Sequence, residues 1–399
     1  MPSDDSLSSK STPKHVAALD GVRGVAIILV LVYHLTHSSN PHTQSIFLNG
    51  AIAFCTFGWI GVDLFFVLSG FLITGILYDT LNSSSYFLNF YARRFLRIFP
   101  LYYGSLVALF LLSGLLSIHW GLSPLLLLAY LQNIPGLHKF VTGSVFHYTS
   151  HFWSLAIEEQ FYLVWPCIVF ITRDRKKLMY LALIIATIAP ILRISVLLMP
   201  ELNHEIWCYR FTLCRIDGLL VGGTLALALR GPEKSRIFKF APAVFLVLFS
   251  FCVGFDAWLT RGILDVHRGK FFYSVGFTLL AISFSALIAW TVEPGSLAAR
   301  ALQNACLRWF GRYSYGIYVL HMIFANVYIV GEYPRIFLNE RFHSKLLGVA
   351  LGGVPTLVTT LLCAWLSFRF YETPFLRLKR YFGRPSEPGQ MKVHRTQFS

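Results

Sequence analysis

Residues 18–37 read ALDGVRGVAIILVLVYHLTH, and this stretch decides the class of the chain. Twenty residues, mostly Ala, Val, Ile and Leu, match the length a helix needs to cross a hydrocarbon core about 30 Å thick at about 1.5 Å per residue. Yet the stretch also holds Asp20, Arg23 and His34. A charge near the bilayer centre costs about 2.5–3.5 kcal/mol on insertion scales, so such side chains are expected to face a cavity or a partner. The combination recurs downstream. GWIGVDLFFVLSGFLIT (58–74) carries Asp63, HFWSLAIEEQFYLVWP (151–166) carries Glu158 and Glu159, and SYGIYVLHMIF (314–324) carries His321.

Working outward, the composition of all 399 residues agrees. Hydrophobic residues make up 55% and charged residues only 13%, with a mean hydropathy of +0.60. Soluble domains carry about 25% charged residues, so this surface does not face water all round. The pattern predicts an all-α polytopic membrane protein, a bundle of about ten transmembrane helices. Their expected positions are 19–38, 55–78, 98–118, 152–171, 178–199, 212–230, 241–259, 271–291, 313–331 and 346–370. Ser123–Asn133 is apolar but only eleven residues long, which suits a short re-entrant or interfacial segment.

The net charge of +15 would suggest nucleic acid for a soluble protein. Here the positives fall in short connections between apolar segments, where they set orientation, and no nucleic-acid partner is expected. With the N-terminus in the cytosol, the inner connections hold Arg93, Arg94 and Arg97; Arg173, Arg175, Lys176 and Lys177; Lys234, Arg236 and Lys239; and Arg300, Arg308 and Arg312. Were Ser123–Asn133 to span, residues 173–177 would lie outside and break that rule, so both termini are expected in the cytosol. Arg261, Arg268, Arg335 and Arg341 in outer loops dilute the bias. Residues 1–15 read as a disordered polar leader, 16–378 as one membrane domain, and 379–399 as a basic cytosolic tail. No internal repeat of the transporter kind is evident. The seven cysteines lie mostly inside apolar segments without paired ligand spacing and read as small apolar residues, so no metal site is expected.

Depth follows from counting. His34 lies eleven residues beyond Arg23, about 16 Å further along a helix. From the outer boundary, Asp63 is expected about 12 Å down and Glu158 about 9 Å down by the same rise. The three then share one slab outward of the midplane, where an imidazole and carboxylates make a general base with an orienting acid. Buried polar packing, with Asp63 paired to an arginine, is the competing reading. Glu158 and Glu159 point about 100° apart and are not expected to share a role. In YARRFLRIFPLYY (91–103), placed between the second and third spans, Arg94 and Arg97 are neighbours on a helix. Guanidinium forks suit phosphates, although plain positive-inside anchoring explains the same residues.

ALDGVRGVAIILVLVYH, GVDLFFVLSGFLIT, the Arg94–Arg97 pair, FWSLAIEEQFYLVWP, GRYSYGIYVLH and YETP at 371–374 occur in the order that resembles the membrane acyltransferase-3 family. The similarity covers residues 16–378. It implies a ten-helix fold whose members O-acylate glycans, lipopolysaccharide, peptidoglycan, macrolides and other hydroxyl acceptors. The family's Arg-to-His motif falls on Arg23 and His34, its paired arginines on Arg94 and Arg97, and its Trp-Ser-Leu…Glu motif on Trp153, Ser154, Leu155 and Glu158. Some members add a C-terminal extracytoplasmic hydrolase-like domain; this chain shows none, so any second transfer step is expected from a partner.

The expected reaction takes an acyl group, acetyl by preference, from acyl-CoA to a hydroxyl of a glycan, lipid-linked sugar or natural product. Arg23, Arg94 and Arg97 would hold the donor's phosphates, and no permanently bound cofactor or metal is expected. His34 would act as base or acyl carrier, assisted by Glu158 and, less directly, Asp63. The expected location is a bacterial inner membrane. A transporter of acyl groups or a small metabolite could use the same polar residues, and acceptor-dependent release of free CoA separates the two. A purely structural membrane protein leaves the aligned ionisable groups unexplained.

Overall fold

The computed structural model describes residues 16–39, 55–141, 144–259, 270–330 and 345–382. Among them there is helix and no strand. That is what a lipid environment demands, since a helix satisfies its backbone hydrogen bonds within itself. Ten long helices carry the fold: α1 (Ala17–Ser39), α2 (Ile60–Asp79), α3 (Tyr86–Leu111), α4 (Trp153–Thr172), α5 (Arg175–Leu197), α6 (Thr212–Ala228), α7 (Lys234–Leu259), α8 (Phe277–Val292), α9 (Ala305–Ala325) and α10 (Lys345–Leu366). Among the described residues nine segments are long and apolar enough to span a membrane, and they include all or part of every one of these helices but α9. Large apolar side chains such as Leu111, Ile171 and Val247 stay exposed on the outer surface, as suits a protein solvated by lipid.

Helix boundaries correct the expected spans at two functionally relevant places. α3 starts at Tyr86, twelve residues before the expected 98, so Arg93, Arg94 and Arg97 lie inside a continuous helix. Hydropathy opens a span only after the last arginine, but arginine is a good helix former and ends nothing when it faces the bundle interior. α9 starts at Ala305, not 313, with Arg308 and Arg312 in its first turns. The stretch at 123–133 forms only the six-residue helix Ser123–Leu128. It docks on α3, where Tyr102 and Tyr103 donate to the carbonyls of Leu127 (2.8 Å) and Leu128 (2.9 Å). The leader at 1–15 and residues 383–399 of the tail lie outside the described residues.

Two parallel helix pairs form the rigid centre. α1 runs beside α9, and α2 beside α6. At Gly311 on α9 a Cβ would stand 1.8 Å from the Asp20 carbonyl oxygen of α1, and at Gly70 on α2 one would stand 1.8 Å from the Leu219 carbonyl oxygen of α6. Backbones this close admit only glycine, the device membrane helices use where lipid supplies no hydrophobic drive for association. α4 runs antiparallel to α9 and is tied to α2 by Trp165, whose Nε1 donates to Thr74 Oγ1 at 2.9 Å.

Candidate active site

A cavity of about 150 Å³ opens between α1, α2, α3, α4 and α9. α3 contributes Arg94 and Arg97, three apart and therefore on one face. Arg23 reaches it from α1 and is neutralised by Asp20 one turn earlier, at 2.6 Å. Among the described residues neither Arg94 nor Arg97 forms an ion pair with a carboxylate. The Arg94 guanidinium instead lies 6.0 Å from the ring centres of Phe90 and Tyr162. Glu158 and Glu159 lie within electrostatic reach of Arg94, and Glu372 of Arg97, but with no carboxylate bonded to them the two guanidinium groups keep their donors available to an anion.

Opposite them, α4 presents Ser154, Glu158 and Tyr162 at four-residue spacing along one face. The hydroxyls of Tyr162 and Ser69 bond one another, and Glu158 lies within hydrogen-bonding reach of both. Glu159, one residue on, is not among the lining residues, although it lies within electrostatic reach of Arg94 and Glu158. The cavity is closed at its far end by Ser154 and Tyr318, whose hydroxyls also meet, with Tyr318 donating to the His151 carbonyl at 2.8 Å.

One turn past Tyr318 stands His321. Its Nε2 is 3.3 Å from Nδ1 of His34, with ring centres 4.8 Å apart. His151 also packs against His321, again at 4.8 Å between ring centres. His34 is not part of the cavity wall. It lies beyond the Ser154–Tyr318 closure.

The structure therefore divides the expected trio. Glu158 shares the cavity with Arg23, Arg94 and Arg97, while His34 sits further along the axis with a second imidazole. The counted depths err because the crossing stretch that holds Glu158 begins at Val145, so Glu158 lies thirteen residues in, about 20 Å rather than 9 Å. Asp63 is in neither group. Its Oδ1 accepts from Arg215 Nη2 at 2.7 Å, both side chains being buried. The Arg215 guanidinium also lies 3.6 Å over the Phe277 ring. Beside this pair Arg193 bonds Asp217 at 3.0 Å and Thr278 at 2.7 Å. Asp63 thus belongs to a charge network joining α2, α5, α6 and α8, a correction to its placement with His34 and Glu158. The desolvated Arg215 requires a counter-charge, and Asp63 provides it. Among the described residues no group of three or more His, Cys, Asp or Glu side chains is arranged to hold a metal ion.

Sequence reading did not single out Ser69, Tyr162 or Tyr318 as site residues. Tyr162 carried a signal, being one helical turn from Glu158 on the same face. Ser69 and Tyr318 belong to quoted motifs but have no local feature that marks them.

A helical membrane bundle with an arginine-lined internal cavity, and paired imidazoles one turn beyond its wall, defines a polytopic integral membrane protein with a polar site inside the bundle. Residues 16–369 match the family described as an acyltransferase domain, and the chain belongs to that family. It is 29% identical to peptidoglycan O-acetyltransferase OatA of Listeria monocytogenes serovar 1/2a (strain ATCC BAA-679 / EGD-e), over 92% of this chain and 57% of that protein. It is 28% identical to O-acetyltransferase OatA of Staphylococcus aureus (strain NCTC 8325 / PS 47), over 96% of this chain and 61% of the relative. With the putative peptidoglycan O-acetyltransferase YrhL of Bacillus subtilis (strain 168) the identity is 29%, over 90% and 55%. The chain spans less than two thirds of the length of these relatives. No solved structure matches it.

Proposed function

We propose that this chain is an O-acyltransferase of the bacterial cell membrane that moves an acetyl group from acyl-CoA to a hydroxyl of a glycan, with residues 16–378 as the transferring domain and both termini in the cytosol. The observation that carries this reading is the pair of unpaired guanidinium groups, Arg94 and Arg97, in an internal cavity that also holds Glu158. The donor is a polyanion with a long neutral arm. Its phosphates bind Arg94 and Arg97 from the cytosolic side, with Arg23 beside them, and its arm extends past Glu158 toward the Ser154–Tyr318 closure. The names of the relatives support a sugar acceptor, and peptidoglycan is the first to try.

In the direct form of transfer, the thioester end passes between Ser154 and Tyr318 as their hydroxyl contact parts, and the acceptor hydroxyl gives its proton to His34 as its oxygen bonds the thioester carbonyl carbon. The C–S bond then breaks, and the departing sulfur leaves as the thiol with a proton supplied on the Glu158 side. In the two-step form His34 first carries the acyl group and then yields it to the acceptor; both forms begin from the same donor geometry. Asp63 is left out of this scheme because its charge already answers Arg215.

The test uses purified protein in proteoliposomes with acetyl-CoA, free CoA being measured with a thiol reagent. Release that rises on adding a hydroxyl acceptor, and acetyl ester on that acceptor, are expected. His34→Ala should bind acyl-CoA and lose turnover by about 10²–10⁴-fold, the usual contribution of a general base. Glu158→Gln should slow turnover severely and Glu159→Gln much less. Acyl movement across the vesicle without CoA release would make the protein a transporter, and normal turnover in His34→Ala would remove His34 from the reaction.

A further inference from the structure

Three histidines from three helices meet beyond the cavity, and their hydrogen-bond partners determine which ring nitrogen carries each proton. Nδ1 of His321 faces two backbone carbonyls, of Tyr318 at 2.7 Å and Ile317 at 3.2 Å. A carbonyl oxygen only accepts, so Nδ1 of His321 is the protonated nitrogen and the lone pair of the neutral ring is on Nε2. That lone pair stands 3.3 Å from Nδ1 of His34. The carbonyl of Val30 lies 2.9 Å from the same nitrogen. Two acceptors converge on Nδ1 of His34, so Nδ1 carries its proton, and the nitrogen able to take a proton or an acyl group is Nε2.

We infer that His321 is a positioning residue for acyl transfer, which acts through His34 by sharing its Nδ1–H with the Val30 carbonyl and so helping to hold that ring in the Nδ1–H form and in its orientation. The inference rests on the reading of His34 as the base or carrier. When His34 gains a proton at Nε2, its Nδ1–H bond to His321 becomes charge-assisted and therefore stronger, so the stabilisation grows as the reaction proceeds. A carboxylate does this work in the Ser-His-Asp arrangement. Here a neutral imidazole does it, which suits a site only 2% exposed, where a carboxylate would bring its own desolvation penalty. His151, 3% exposed, packs edge-on against His321 and helps to fix that ring.

The experiment compares His321→Phe with His321→Gln in the CoA-release assay at matched protein levels. Phenylalanine keeps a flat ring but removes the acceptor, whereas glutamine returns an amide oxygen near the place of Nε2. His321→Phe should lower kcat by about 10²-fold with an unchanged KM for acyl-CoA, since His321 is not in the cavity wall. His321→Gln should recover at least a tenth of the wild-type kcat. The double variant His34→Ala/His321→Phe should be no slower than His34→Ala, because two residues acting as one unit are not additive. A kcat within threefold of wild type in His321→Phe, or equal losses in the Phe and Gln variants, overturns the inference. Normal turnover in His34→Ala instead overturns the reading beneath it, and the two failures are told apart by that variant alone. If His321→Phe does not accumulate, ¹⁵N spectra of histidine-labelled protein, assigned by difference against His34→Ala, read the tautomer directly. A signal from an Nδ1-protonated His34 supports the inference, and one from the Nε2-protonated form refutes it.

Discussion

Replacing Arg94 and Arg97 together by Ala tests the donor site most sharply, because these arginines differ from every other buried one in the core. Arg193 and Arg215 each hold an aspartate, so truncating either would strand a buried carboxylate at a cost of about 3–5 kcal/mol. Arg94 and Arg97 form no ion pair with a carboxylate among the described residues, so removing them relieves the mutual repulsion of two adjacent cations while taking a longer-range attraction from Glu158, Glu159 and Glu372. These effects oppose one another, and the ring contacts of Arg94 with Phe90 and Tyr162 are long, so the melting temperature should fall far less than on truncating Arg193 or Arg215. Binding should suffer. A hydrogen bond to a charged group contributes about 1.5–3 kcal/mol, and both side chains are only half buried, so the lower figure applies. For the pair this comes to about 3 kcal/mol, a Kd about 150-fold weaker. The assay is calorimetric titration of detergent-solubilised protein with a non-hydrolysable acyl-CoA thioether at low and high salt. Wild-type affinity should fall with salt, and the double variant should lose most of that dependence. A Kd within threefold of wild type would refute the assignment and leave the arginines as topological anchors. A large drop in melting temperature would refute the premise that they are structurally unpaired.

Other outcomes follow from the same geometry. Asp63→Ala should lower stability by about 3–5 kcal/mol by stranding Arg215, while Asp63→Leu/Arg215→Met should restore thermal stability and leave acyl-CoA affinity unaltered; lost affinity in a stable double variant would place Asp63 in the site after all. Gly70→Ala puts a Cβ 1.8 Å from the Leu219 carbonyl oxygen, so α2 and α6 must part, at about 1–3 kcal/mol or more, and detergent melting should reveal it; an unchanged melting temperature contradicts the close packing. Single cysteines placed at 173–177 and 231–239 should react with a membrane-impermeant maleimide only in inverted vesicles, and reaction in intact cells would reverse the proposed orientation.

What could be read before folding was the set of apolar segments, because span length and hydropathy are local properties. The number of long helices and the short character of the 123–133 stretch emerged correctly. Less legible was where a helix begins when its first turns are cationic. Hydropathy treats Arg93, Arg94 and Arg97 as a connection, whereas the helix places two of them on a cavity wall. That kind of boundary error propagated into depth. Starting the fourth crossing at residue 152 instead of Val145 raised Glu158 to the level of His34 and concealed the layer between them. Partner choice was beyond local reading altogether. Asp63 and Arg215 are 152 residues apart, and His34 and His321 are 287 apart, so only the packing of α1 on α9 and α2 on α6 joins them.

The continuity of α1 has a consequence for donor choice. Arg23 and His34 sit on one unbroken helix, and α9, locked to it through Gly311, carries His321 at the matching height. The interval between Arg23 and the imidazole is thus a ruler about 16 Å long, graduated in steps of about 1.5 Å that each also turn the reading edge by 100°. Such a ruler does not stretch. A donor whose thiol arm is one bond short presents its carbonyl before the mark, and an extra residue between Arg23 and His34 turns the imidazole away from His321 as well as lifting it. Under the proposed function, selectivity for one kind of thioester would then be a matter of measured length, set by one continuous helix.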